Sequence, residues 1–143
     1  ARAAGGRAPL RARPRAAVIV LDTSVLVDAL TGPRRLAPAL RRVIEQGERV
    51  LLPSLVLYEW LRGPRRPEEL AAQEALFPAA AALPFGPAEA ARAARLYVAI
   101  SRPRGREIDL AVAACALVLG ARLWTVNPRD FRDVPGLELY PPA

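Results

Sequence analysis

Short apolar runs recur along the chain, and stretches of helical periodicity separate them. The runs VIVL at 18–21, RVLL at 49–52 and LWTV at 123–126 are too short for helices and are bounded by polar or turn-forming residues. Each reads as a strand buried on both faces. Strands of this kind alternating with helices form a parallel α/β sheet covered by helices on both sides. In such sheets ligands meet the carboxyl ends of the strands, so the residues just after each run bear most on function.

The first strand is expected over Val18 to Asp22, and Thr23 or Ser24 is placed to cap a helix ending at Thr31-Gly32-Pro33. A helix follows over Leu36 to Gln46 and a second strand over Arg49 to Leu52. Pro53-Ser54 opens a helix through Leu61, stopped by Gly63-Pro64. Pro67 to Leu76 and Pro87 to Ile100 read as helices, while Pro78 to Phe85 has no clear assignment. The central helix is expected over Ile108 to Leu119, stopped by Gly120. Leu123 to Val126 is the third strand and Leu137 to Tyr140 a candidate fourth.

Four acids stand beside these apolar elements. Asp22 closes VIVL, Glu59 interrupts LVLYEWL, Asp109 opens LAVAACALVLG, and Asp130 follows LWTV by a short turn. A lone buried carboxylate is costly unless it is paired, hydrogen-bonded or bound to a metal. Together they suggest one acidic pocket, and oxygen-only ligands favour Mg²⁺ or Mn²⁺. Each acid also has an ordinary explanation. Asp22 can cap a helix, Glu59 can pair with Arg62, Asp109 can complement a helix dipole, and Asp130 can serve a turn. Asp133 lies farther from the strand end and is the less attractive ligand.

Composition removes several classes of enzyme. Without histidine there is no imidazole base, histidine zinc ligand or histidine-containing triad. The 21 basic residues are all arginine, so there is no lysine for a P-loop NTPase, a protein kinase or a Schiff base. The single cysteine, Cys115, reads as a small buried hydrophobe, which suits a reducing, cytoplasmic setting. No apolar run is long enough to span a bilayer. The net charge of +7 is uneven, since five arginines fall within the first fifteen residues. Residues 1–16 are expected to be a basic, disordered leader, and 17–143 a single domain.

The segments LDTSVLVDAL, YEWLRG, DLAVAACAL and TVNPRDF, in this order and spacing, resemble PIN-domain ribonucleases of the VapC type, the toxins of toxin–antitoxin pairs. The resemblance spans about residues 18 to 140. It implies a three-layer α/β/α fold around a mainly parallel sheet of about four to five short strands. It also implies that Asp22, Glu59 and Asp109 are catalytic metal-binding acids, with Asp130 as a fourth. Thr23 then matches the hydroxyl after the first acid, with Ser24 supporting it, and Asn127 matches the polar residue of the last motif. Leu110, Ala111 and Val112 depart from the leucine or isoleucine pair usual after the third acid. Cleavage of RNA with Mg²⁺ or Mn²⁺, a homodimer and a small VapB-type antitoxin are further implications.

The chemistry also follows from the residues, because a histidine-free site must activate water largely through metal. Arg102, Arg104 and Arg106 precede Asp109, and Arg34 and Arg35 follow the first helix; all five are candidate RNA-phosphate contacts. Leu96, Tyr97 and Ile100 are candidates for a dimer surface. Two other readings remain: a DNA-directed nuclease on the same fold, and a regulatory binding protein whose acids are caps and surface pairs. A phosphoacceptor domain is disfavoured by the missing lysine.

Overall fold

The computed structural model describes residues 18–141; the expected leader lies outside the described residues. Strand β1 (Val18–Leu21) leads into helices α1 (Thr23–Leu30) and α2 (Ala37–Glu45), and then into β2 (Arg49–Leu51). Helices α3 (Ser54–Arg62), α4 (Pro67–Leu76), α5 (Pro87–Ala99) and α6 (Glu107–Leu119) precede β3 (Arg122–Trp124). A 3₁₀ turn at Pro128–Phe131 connects β3 to β4 (Leu139–Tyr140). The strands form one parallel sheet in the order β2-β1-β3-β4, flanked by helices as a three-layer α/β/α fold.

The two central strands, β1 and β3, carry the most deeply buried part of the sheet. Ile19, Val20, Leu21 and Leu123 are wholly buried, as are Val25, Leu26, Val56, Trp60 and Val112 from the helices. Helix α6 is buried continuously from Leu110 to Ala116, which explains its alanine-rich sequence: small side chains let it pack closely against its neighbours. It ends at Gly120, whose φ of 65° places it in the left-handed region, with its N–H and that of Ala121 returned to Leu117 and Ala116. Glu69 and Glu89 fold back to accept the N–H groups of Arg66 and Gly86, satisfying donors at the starts of α4 and α5.

The strand ends depart from the sequence expectation for local reasons. Thr125 and Val126 leave the ladder because side-chain hydroxyls take over at this point. The Val126 N–H donates to Ser24 Oγ at 3.1 Å, and the Asn127 N–H to Thr125 Oγ1 at 3.0 Å. Leu137 belongs to a turn, so β4 is shorter than 137–140. The unassigned segment after Pro78 contains a 3₁₀ turn at Ala79–Ala81 and then bridges Leu83 to Pro53 in parallel. Leu83 N–H donates to Leu52 O at 2.9 Å and Ser54 N–H to Leu83 O at 2.7 Å, extending the sheet beside β2.

Strand order reverses direction between β1 and β3. The chain moves from β1 outward to β2, then returns across the sheet to β3 and β4. Such a switch point leaves a crevice at the carboxyl ends of the two strands. Asp22 follows β1 there and Thr125 follows β3.

Candidate active site

Leu21 pairs with Trp124 in the sheet, so the next residues, Asp22 and Thr125, emerge side by side. The Asp22 N–H donates to Trp124 O at 2.9 Å, which fixes the backbone on which the carboxylate stands. Only 6% of Asp22 is exposed. Its Oδ2 accepts hydrogen bonds from Ser24 Oγ and Thr125 Oγ1, both at 2.8 Å. Oδ1 takes no hydrogen bond among the described residues. Asp22 occupies the N-cap position of α1 but makes no capping bond. Thr23 and Ser24 do not cap the helix either. Their hydroxyls are directed to Glu59 and Asp22 instead.

Thr23 Oγ1 donates to Glu59 Oε1 at 2.7 Å, joining the start of α1 to α3. Glu59 Oε2 meets the Arg62 guanidinium at 3.3 Å, the ion pair that its spacing allowed. Arg62 is half exposed, so this pair adds little stability. The same guanidinium lies 5.2 Å from the centre of the Tyr58 ring.

Asp109 lies in the first turn of α6. Its pKa is pushed up to about 6, first by burial and then by the negative fields of Asp22, Asp130 and Glu59; Arg106 opposes the shift. Acids from four separate segments therefore act on one electrostatic environment. Among the described residues, no three of them are drawn into a ready-made chelate. The donor set nevertheless fits a hard divalent cation. It offers carboxylate and hydroxyl oxygens only, and crowded negative charge at Asp109 that a cation relieves. Mg²⁺ or Mn²⁺ would be held by Asp22, Glu59 and Asp109, with Asp130 at the rim.

Asp130 and Asn127 are exposed on the turn after β3. Arg102 and Arg104 are exposed in the loop before α6, beside Tyr97. Arg106 needs correction as a free phosphate contact, because its guanidinium is committed. It donates to both oxygens of Asp133, at 2.7 and 2.6 Å, and to the Asp130 carbonyl at 2.8 Å. The pairing raises the pKa of Arg106 and lowers that of Asp133. Arg34 and Arg35 are exposed beyond the far end of α1, about 12 Å along the helix from Asp22. Arg34 there lines a groove between α1, α2 and α4.

Sequence reasoning missed Thr125. Its signal was the hydroxyl inside LWTV, a polar side chain where an apolar strand should continue. Only the register of β1 with β3 shows that this hydroxyl faces Asp22.

The PIN domain pattern matches residues 19–137. The chain belongs to the PIN-domain family, and its three-layer α/β/α fold accords with this membership. Within the family it is closely related to VapC-type toxins of toxin–antitoxin systems. It is 37% identical over 123 residues to Ribonuclease VapC19 of Mycobacterium tuberculosis (strain H37Rv), an alignment covering 83% of this chain and 96% of that protein. The fold is similar to that of DNA-bound VapBC from Salmonella typhimurium, with a TM-score of 0.70 at 19% identity over 86% of this chain and 96% of the other. FitAcB from Neisseria gonorrhoeae is also similar, with a TM-score of 0.62 at 20% identity, covering 85% and 96% of the two chains.

Proposed function

We propose that this chain is a Mg²⁺- or Mn²⁺-dependent endoribonuclease toxin that cuts RNA by attack of water on phosphorus. The observation that carries the reading is Asp22, a buried carboxylate at the switch point with one oxygen held by two hydroxyls and the other free of them. Kinship with a named ribonuclease supports the substrate class. A divalent ion bound here supplies Lewis acidity, which lowers the pKa of water and offsets charge on the phosphate. The chain's own task is orientation. Ser24 and Thr125 keep Asp22 in one rotamer, and Thr23 does the same for Glu59. Arg102 and Arg104 are placed to hold the flanking phosphates of a single strand.

Total cellular RNA treated with the purified protein and Mn²⁺ should acquire new 5′-phosphate and 3′-hydroxyl ends when its termini are mapped. Ends carrying 2′,3′-cyclic phosphate would show attack by the ribose instead and overturn the mechanism.

The reading extends to a small VapB-type antitoxin as neutralising partner, a cytoplasmic location and a homodimer. Among the described residues no helix is long and apolar enough to cross a membrane. Of the three residues expected at a dimer surface, only Tyr97 is exposed. Leu96 and Ile100 are 4% and 8% exposed, because they pack within the monomer. Tyr97 is joined on the surface by Phe85 and Val98, the latter 84% exposed, along a shallow apolar groove between α3, α5 and α6 that we propose as the dimer face. Light scattering should give twice the chain mass, and Val98→Arg should halve it. A single-chain mass for the unmodified protein at every concentration would remove the dimer.

A further inference from the structure

Arg106 stands where two acid-bearing elements meet. It immediately precedes α6, whose first turn carries Asp109. Its fork spans 27 positions of sequence to grip the carboxylate of Asp133, and one arm also holds the Asp130 carbonyl. A guanidinium can make this paired contact and an ammonium cannot, because the two donors must lie in one plane. From the core side the same turn is anchored by Phe131 and Val134, both buried. Arg106 secures it from the solvent side. The backbone of Asp130 is thereby tied to the start of the helix that bears Asp109.

We propose that the Arg106–Asp133 pair is a strut that sets the separation of Asp109 and Asp130, making Asp133 a positioning residue for the divalent ion. The proposal rests on the reading of the acids as a metal site. Asp133 is no ligand in this arrangement: both of its oxygens are engaged by Arg106. Its influence passes through the backbone of Asp130. Groups that orient metal ligands without touching the ion commonly alter affinity by about 10- to 100-fold, and a strut acting through one rim ligand belongs at the low end.

The test is Mn²⁺ titration of the protein followed by electron paramagnetic resonance, which needs no RNA and no turnover. Asp133→Ala and Arg106→Lys should each raise the Mn²⁺ Kd by about five- to tenfold with cooperative unfolding retained. Arg106→Lys keeps the charge and loses the fork, so it carries the test alone if Asp133→Ala does not fold. In an Asp130→Asn background, Asp133→Ala should change the Kd by less than about twofold, because the group it positions is gone. Equal losses in both backgrounds would mean general loosening of the fold and would overturn the strut. So would an unchanged Kd in both single variants. Absence of saturable Mn²⁺ binding by the unmodified protein removes the metal site and the strut together; normal binding with unaffected variants removes the strut alone.

Discussion

Asp109→Asn should abolish RNA cleavage while making the metal-free protein more stable at pH 7.5. The two effects have one cause. Asp109 is burdened by burial and by three neighbouring acids, so its folded pKa is about 6 against an ordinary 3.8. Between about pH 4 and pH 6 the folded protein keeps a proton that the unfolded chain has released. The contribution of Asp109 to stability is therefore most favourable below about pH 4, falls as pH rises through this window, and stays at the lower level above it. Asparagine carries no charge to penalise. The gain at pH 7.5, discounted for partial solvent screening, is about 1–2 kcal/mol, or a rise in Tm of several degrees. Turnover should fall about a thousandfold or more, because transition-state charge stabilisation by the metal is worth several kcal/mol. Urea unfolding across pH 4–8 and a cleavage assay check both halves. A variant that cuts RNA at the normal rate removes Asp109 from the mechanism, whereas a stability difference between variant and unmodified metal-free protein that does not grow from pH 4 to 6 reverses the electrostatic account.

Trp60→Ala should be among the most destabilising single changes available. The ring is fully buried in α3, next to Glu59, and the Arg65 guanidinium lies 4.1 Å from its centre on one side. Truncating a buried tryptophan costs about 3–5 kcal/mol through lost burial and the cavity left behind. That is a large share of a typical domain stability of about 5–15 kcal/mol. Trp60→Phe should cost much less. It retains an aromatic ring, and the Nε1–H has no partner among the described residues, so no hydrogen bond is lost. Chemical denaturation measures both. A cost below about 1 kcal/mol for alanine would show that α3 is held elsewhere.

Much of this architecture was legible from short-range patterning. VIVL, RVLL and LWTV announced three of the four strands, and Gly120 marked the end of α6, because burial and backbone conformation act locally. The four acids were legible for a different reason. Each interrupts or closes an apolar element, where an unpartnered charge is costly. What stayed hidden depends on register. Thr125 becomes a partner of Asp22 only because Leu21 lies opposite Trp124. Arg106 reads from the sequence as a candidate phosphate contact and Asp133 as a weak candidate ligand, and only the tertiary contact between the 3₁₀ turn and the start of α6 pairs them. Leu83 joined the sheet through a single bridge, too brief a feature for periodicity to register. Leu96 and Ile100 are candidates for a dimer surface by sequence because their helix has apolar residues on more than one face, and only packing decides that they point inward.

The hydrogen bond between Asp22 and Thr125 spans 103 residues. Strand β1, near the start of the chain, stays incomplete until β3 slots in beside it. At about 5–20 residues per second, ribosomal synthesis leaves Asp22 waiting on the order of 5–20 s for the hydroxyl that orients it. Until then the emerging polypeptide has α1, α3 and their acids without the crevice that brings them together. The two sides of the crevice therefore come together only once β3 has been made and has docked beside β1.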